Sequence, residues 1–189
     1  MATGDIDIAA RIVSRALLIN LGTAALYIIK ERTLRGVFLP GSTGTGTYST
    51  TPMPLPLGAL PARARGKRAL AQLVATGEAR LFTSFRSRRA WIVLTGGYAK
   101  FRELAGRESD RVTLNWSGQM MRNLKITRVS AREGVVEIGF TEGRAKRLAS
   151  YHNTLGAGRA KVTHKFIGLT APEVASIAAQ AQEAIQYQQ

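Results

Sequence analysis

The longest apolar run of the chain extends from Ala16 to Ile29 and is bounded by Arg15 and Lys30. It is too short to span a bilayer, which takes about 20 apolar residues. Its apolar side chains recur at roughly helical spacing, which predicts one long helix over residues 5–35. Because the apolar stripe is wider than one helix face, this helix needs cover on several sides. Its own domain or a neighbouring subunit in a ring would supply that cover.

The polar residues around this helix indicate where it begins and ends and whether the chain starts with a targeting signal. Asp5 and Asp7 favour the start of a helix, and Gly36 is a plausible stop. The same two acids stand where a signal peptide carries basic residues. We therefore expect a protein made in the cytosol, with no membrane partner.

A long segment follows, residues 37–62, in which glycine, serine, threonine and proline predominate. Pro52, Pro54, Pro56 and Pro61 forbid a helix and discourage a central strand. We expect an irregular loop, since loops of this length are functional or unstructured. Two interpretations stay open: a short polyproline II arm lying along a partner subunit, or an irregular insertion.

The charge of the chain is strongly unbalanced. It has 27 Lys and Arg residues against 12 Asp and Glu, a formal net charge of +15. Such a chain attracts polyanions or acidic surfaces, so nucleic acid, an acidic ring of partner subunits and anionic lipid are the candidate partners. There is no cysteine, which excludes disulfides, thiolate zinc sites and cysteine nucleophiles.

Nearly half of the charge excess lies in residues 63–89, which contain eight Lys and Arg residues and one acid, Glu78. Two basic clusters in this stretch are separated by apolar residues. Phe82, Phe85 and Trp91 interleave with the second cluster. Arginines beside aromatic rings are suited to phosphate contact and base stacking. A solvated basic surface or a set of salt bridges between subunits explains the same pattern. The predicted partner or DNA contacts are Arg63, Arg65, Lys67, Arg68, Arg86, Arg88 and Arg89.

The remainder of the chain alternates short helical and strand patterns. A helix within 68–82 is interrupted by Gly77, and a hairpin joins strands at 125–131 and 135–140. Further strands are predicted at 90–95, 112–114 and 162–167, and further helices at 98–105, 117–124, 143–155 and 171–187.

These elements predict an α+β fold. It consists of a small antiparallel sheet flanked by helices, with a long N-terminal helix and an irregular Gly/Pro-rich loop. We divide the chain into an N-terminal helix at 1–36, the loop or arm at 37–62, and a basic α+β domain at 63–189.

No arrangement typical of catalysis is evident. His152 and His164 have no metal-binding spacing. We expect His152 to face inward as a hydrogen-bonded structural residue and His164 to lie at the surface. A two-histidine site requires the fold to bring them together. The glycines at 41, 44 and 46 lack the Lys-Ser/Thr ending of a phosphate loop. We expect no enzyme activity, no catalytic residue, no metal and no cofactor.

Residues 90–185 contain a series of short segments in a set order. They are Gly97–Arg107, Val112–Leu124, Val135–Phe140, Ala145–Asn153 and Lys165–Thr170. Together they resemble the virion-morphogenesis, or tail-completion and neck, family of tailed bacteriophages. The residues that carry the resemblance are Gly97, Tyr98, Gly106, Gly118, Leu124, Tyr151, His152, Phe166, Gly168 and Leu169. Lys165 stands where the family usually has arginine, and residues 1–89 show no match.

The resemblance implies a structural subunit of the head–tail junction, which would join connector and tail tube around the DNA channel. It implies a homo-oligomeric ring of six or twelve copies, assembled in the host cytoplasm and present in the virion. Connector, stopper or tail-tube proteins would be its partners, with DNA in the channel as a further one. It implies no reaction and no cofactor. The alternative is a stand-alone basic nucleic-acid-binding protein.

Overall fold

The computed structural model describes residues 14–85, 88–114, 118–157 and 161–186. The fold is α+β, as predicted, with a long N-terminal helix. The helices are α1 Arg15–Leu34, α2 Lys67–Ala75, α3 Gly97–Leu104, α4 Gln119–Asn123, α5 Gly143–Ser150 and α6 Ala171–Gln186. The strands are β1 Met53–Pro56, β2 Ala79–Thr83, β3 Ala90–Leu94, β4 Leu124–Ser130 and β5 Val135–Phe140. Leu57–Ala59 and Ala62–Ala64 form 3₁₀ turns, and Tyr151–Leu155 forms a π turn after α5.

The chain divides into two compact units. The first, the helix–hairpin unit, comprises residues 14–44 and the described residues of 114–186. The second, the sheet unit, comprises residues 45–113 without positions 86 and 87. The predicted boundaries, after residues 36 and 62, differ from this division, because residues 37–44 group with α1 and residues 45–62 group with the sheet.

Helix α1 begins at a side-chain cap. The Ser14 Oγ accepts a hydrogen bond from the Leu17 N–H at 3.1 Å, satisfying one of the free donors of the first turn. The helix ends at Leu34, close to the predicted end at residue 35. The predicted start at residue 5 lies outside the described residues. None of the helices within the described part of the chain is long and apolar enough to cross a bilayer.

The cover that α1 needs comes from its own unit. The helix packs against β4, β5 and α6, and Leu17, Leu18, Ala25 and Ile29 are buried there. The β4–β5 hairpin was predicted and is confirmed, with Leu124 paired with Phe140. Of the two sources of cover suggested by the sequence, the domain itself therefore buries this face.

A close approach between α1 and the hairpin depends on Gly22. A Cβ placed at Gly22 would lie 2.6 Å from a methyl carbon of Val136 and 3.1 Å from the Ile126 Cδ1. Both distances are shorter than normal van der Waals contact. The glycine therefore lets the helix lie directly on the strands.

The core of the helix–hairpin unit lies beneath this contact. Leu124 and Phe166 are completely buried, and the Phe166 ring meets Phe140 edge-on with 6.3 Å between centroids. The other buried members are Ile29, Met120, Met121, Ala145 and Ala149. Leu148, which was predicted to face inward beside Ala149, is instead exposed, because the buried face of α5 is formed by Ala145 and Ala149, one helical turn apart.

The sheet unit is built on an antiparallel sheet with strand order β1-β3-β2. Its inner face carries Leu55, Ala79, Ile92 and Leu94, all buried with Leu73 of α2. Phe101 and Leu104 of α3 pack against the same cluster. Strand β3 was predicted at 90–95 and is confirmed.

Strand β1 corrects the prediction of an irregular segment and a polyproline arm. Met53 pairs with Leu94 and Pro56 with Trp91, so residues 53–56 belong to the sheet. They tolerate proline because β1 is an edge strand, which leaves some backbone N–H positions unpaired. Residues 37–52 contain no helix or strand, as expected.

Three other predicted elements differ from the structure. The helix predicted within 68–82 stops at Ala75, and Ala79–Thr83 is instead a strand, because it hydrogen-bonds to β3. No strand forms at 112–114, where the Val112 N–H donates to the Gly46 carbonyl. Described residues 162–167 form no strand; an isolated bridge joins Ala157 and Val162.

Replacing Gly22 with valine is expected to destabilise the helix–hairpin unit by about 1–3 kcal/mol, because the added methyls overlap Val136. Asn20→Val is the matched control, since Asn20 is exposed on the same helix. It should change the free energy of unfolding by a few tenths of a kcal/mol, roughly the difference in helix propensity. Urea denaturation of both variants measures the contrast, and equal losses would show that Gly22 is not a contact site.

Candidate functional site

Two of the segments that carry the family resemblance, Ala145–Asn153 and Lys165–Thr170, meet in the helix–hairpin unit. The His152 carbonyl accepts a hydrogen bond from the His164 N–H at 2.7 Å. The Asn153 Oδ1 accepts from the Phe166 N–H at 2.8 Å and from the Ile167 N–H at 3.3 Å. The π turn thus supplies backbone partners to residues 164–167, which have no strand neighbour to do so.

Arg32 holds the other side of the same segment. Its guanidinium is buried and donates to the carbonyls of Phe166 and Gly168, both at 2.9 Å. It also forms a salt bridge with Glu173 at 2.5 Å. A planar guanidinium offers several donors in a fixed geometry, so one side chain ties α1 to the segment before α6.

Glu173 completes this arrangement at the start of α6. Its carboxylate accepts from the Thr170 N–H at 2.7 Å, which is the acidic half of a capping box. Burial raises the pKa of Glu173, but the hydrogen bonds from Thr170 and the charge of Arg32 outweigh it and lower that pKa overall. Glu173 is therefore ionised at neutral pH. We name Arg32, Asn153, Glu173 and the backbone that they bind the arginine lock.

The two histidines lie beside the arginine lock, with 6.3 Å between their ring centroids. His164 is buried at 9% exposure, which corrects the prediction of a surface residue. Phe38 meets its ring edge-on at 4.8 Å, and a Cβ on Gly44 would lie 2.3 Å from the His164 Nε2. The inward position predicted for His152 is consistent with its pKa, which burial and then the charge of His164 lower to about 4.

This histidine pair does not extend into a larger set of ligands. Within the described ranges, no three or more His, Asp or Glu side chains are grouped so as to hold a metal ion. The pair instead packs residues 38–44 against residues 162–164, since the Gly44 and Thr43 N–H groups both donate to the Thr163 carbonyl. Its evident role is to join two segments that have no regular secondary structure.

The first basic cluster is divided between structural and exposed roles. Arg63 donates to the carbonyls of Glu103 and Leu104, and so satisfies the C-terminal end of α3. Arg65, Lys67 and Arg68 are exposed around the start of α2. The sequence-predicted cluster is therefore not one surface of equivalent cations.

The second basic cluster lies at the end of the β2–β3 hairpin. Arg88 and Arg89 are exposed, whereas Arg86 lies outside the described residues. Phe82 of β2 stacks on Trp91 of β3 with 6.2 Å between centroids, and Phe85 is fully exposed. The predicted association of arginines with aromatic rings is present here.

Sequence reasoning missed three arginines that the structure singles out. Arg80 lies in β2 and is exposed. Its spacing of two residues from Phe82 places both side chains on one face of a strand, and this spacing could have indicated its position. Arg102 is buried, with its guanidinium 4.2 Å from the centre of the Tyr48 ring. Arg32 is the third. No local pattern indicates a buried arginine whose partners are distant in sequence.

The remaining family-like residues have structural positions. Gly97 has φ +61°, and a Cβ there would lie 2.3 Å from the Thr51 carbonyl oxygen, so only glycine fits. Tyr98 stacks on Phe101. Gly106, Gly118 and Gly168 also have positive φ angles, and Leu169 packs against the core. Tyr151 is exposed instead.

A cleft of about 370 Å³ in the sheet unit is lined by Lys100 and two carboxylates, those of Glu78 and Glu103. The Lys100 Nζ lies 2.5 Å from Glu78 and 2.8 Å from Glu103. Burial lowers the pKa of Lys100, but hydrogen bonds and charge from both carboxylates raise it overall. The hydrogen bond from Lys100 lowers the pKa of Glu78. Lys100 therefore stays protonated at neutral pH and is a poor nucleophile.

Comparison with family models, with curated proteins and with solved structures found no match for this chain. Only the geometry of the described residues therefore bears on function at this point. Two arrangements stand out among the described residues: the buried arginine lock, and the exposed arginines and aromatic rings of the β2–β3 hairpin.

Arg32→Met should destabilise the protein by about 3–5 kcal/mol, because it leaves the Glu173 carboxylate and two carbonyls without their partner. Arg35→Met is the matched control. Arg35 forms an exposed pair with Glu31 at 3.4 Å, and its loss should cost about 0.3–0.5 kcal/mol. Thermal denaturation of both variants measures the difference. A similar small loss for both would contradict the role assigned to the lock.

Stability should fall as the pH is lowered from about 6.5 to about 4. Between these values the unfolded chain protonates His152 while the folded chain does not, since its folded pKa is about 4. The unfolded state then binds more protons, so the free energy of unfolding decreases, by up to about 3 kcal/mol. Urea denaturation at several pH values measures this loss. In His152→Gln the same slope should be shallower; an unchanged slope would assign the effect elsewhere.

Proposed function

We propose that this chain is a structural subunit of a ring at the head–tail junction of a tailed phage, as a neck or tail-completion protein and not an enzyme. The observation that carries the proposal is the ordered set of segments between residues 97 and 170, which resembles that family. In such a ring the chain joins connector and tail tube around the DNA channel. The ring has six or twelve copies.

The contacts of the family-like residues support a structural role. The His152–Asn153 segment binds the backbone of residues 164–167, and Phe166 fills the core. These residues build the fold. A family defined by such residues shares an architecture, which suits an assembly protein better than a shared reaction.

An exposed apolar stripe on α5 and the π turn suits contact between copies. Leu148, Tyr151 and Leu155 are 39%, 49% and 57% exposed. Their spacings of three and seven residues place them on one side of a helix. Arg144 and Arg147, each four residues before a member of the stripe, are exposed and basic, which suits a neighbour that presents acidic side chains. We assign this stripe to the interface with a second copy.

The alternative function, a stand-alone nucleic-acid-binding protein, is favoured by a different observation. Arg88 and Arg89 are exposed beside Phe82 and Phe85 on the hairpin. Such a protein binds nucleic acid as a monomer, with an affinity that falls steeply with salt. Oligomeric state therefore separates the two functions.

Native mass spectrometry should detect a closed ring of six or twelve copies at micromolar concentration. The double variant Leu148→Asp/Leu155→Asp should shift this population to monomer, because it places charges in an apolar interface. Val174→Asp on α6 is the control, since Val174 is equally exposed outside the stripe and should leave the ring intact. Circular dichroism checks that all variants fold.

One result would contradict the ring proposal, and another would contradict only the interface assigned to it. A wild-type chain that stays monomeric, both alone and with the tail-tube protein of the same phage, would exclude a ring subunit. Rings that survive the double variant but dissociate in Val174→Asp would place the interface elsewhere while leaving the ring itself supported.

A further inference from the structure

The outer face of the β1-β3-β2 sheet has an unusual composition. Its inner face is covered by α2 and α3, so the outer face is the one that normally carries polar side chains. Strand register places Pro56 and Phe82 on either side of Trp91, in one row across three strands. Pro56 and Phe82 are exposed and Trp91 is half-buried. The outer face therefore presents a band of two flat aromatic rings and one proline ring, which we call the ring band.

Arginines lie on both sides of the ring band. Arg80 is two residues before Phe82 on β2, and Arg89 is two residues before Trp91, with its carbonyl bound to the Ser84 N–H. Two residues along a strand span about 6.7 Å. Because β2 and β3 are antiparallel, the two arginines flank opposite edges of the band.

The charges of this surface are not neutralised. Residues 79–94 contain four arginines and no acidic residue. None of the salt bridges in the described part of the chain involves Arg80, Arg88 or Arg89. The nearby Glu78 is paired with Lys100. The surface therefore suits an anionic partner.

The pattern also limits the form of that anion. Rings and cations alternate along the strands, so a partner must offer flat apolar groups and negative charges in alternation. Nucleic acid has this pattern in its bases and phosphates. In a duplex the base faces are stacked on each other, whereas in a single strand they are open to Phe82 and to the fully exposed Phe85.

We infer that the outer face of this sheet and the adjoining β2–β3 connection bind single-stranded nucleic acid, with bases stacked on Phe82 and Phe85 and phosphates bound by Arg80, Arg88 and Arg89. The binding surface lies within the sheet unit and needs no second copy. The inference therefore goes beyond the ring proposal and does not depend on it.

Fluorescence anisotropy of fluorescein-labelled dT20 tests the inference. Phe82→Leu and Phe85→Ala should each weaken binding about fivefold to a hundredfold, the range of base–aromatic stacking, without changing the salt dependence. Arg80→Gln should reduce the slope of log Kd against log salt by about 0.7, the loss of one phosphate contact. Phe85 is fully exposed, so its replacement does not threaten folding.

A matched control and an optical signal accompany these variants. Arg68→Gln removes the same charge from the exposed start of α2 and should leave dT20 affinity nearly unchanged. The chain has two tryptophans, at 91 and 116. In Trp116→Phe, dT20 should quench the remaining fluorescence of Trp91, because a base stacks beside the ring band.

Three outcomes would overturn the inference. One is dT20 affinity that Phe82→Leu and Phe85→Ala leave unchanged. The second is an equal loss in Arg68→Gln and Arg80→Gln, which would indicate attraction by net charge alone. The third is poly-L-glutamate displacing dT20 at equal charge concentration, which would indicate an acidic protein partner. None of these bears on whether the chain forms rings.

Discussion

The Arg32 guanidinium is the interaction on which the helix–hairpin unit depends. Residues 162–170 lack a helix or strand, so their backbone groups need partners from elsewhere. Arg32 binds two of these carbonyls, and the Asn153 side chain binds two N–H groups. The same arginine pairs with Glu173, which caps α6. A long helix, an irregular segment and the last helix therefore meet at one buried charge.

This dependence explains why an apolar helix carries an arginine among its buried residues. A buried cation is costly unless it is paired and hydrogen-bonded. Arg32 satisfies both conditions, because Glu173 supplies the opposite charge and two carbonyls take further donors. The pair contributes less to net stability than to placing residues 166–173 in one arrangement.

Local patterns in the sequence predicted the elements whose contacts are local. The alternation around Ile126 and Ile138 and the short turn between them indicated the β4–β5 hairpin, which is confirmed. The apolar periodicity of α1 was equally clear. Strand β1 was missed because its prolines oppose a strand except at a sheet edge, and edge position is a property of the tertiary fold. The approach of His152 to His164 was missed for the same kind of reason: it is set by the Asn153 contacts and by Gly44.

The role of each arginine in this chain depends on its position in the fold more than on the number of arginines. Arg32, Arg63 and Arg102 each donate to backbone carbonyls of their own unit, so they serve folding despite their charge. The side chains of Arg80, Arg88 and Arg89 donate to no carbonyl among the described residues, and they lie near aromatic rings on the β2–β3 hairpin. Composition treats these two groups alike, whereas the structure separates them. Of these two groups, only Arg80, Arg88 and Arg89 are free to bind an anion. The ring band beside them favours an anion that also carries flat apolar groups.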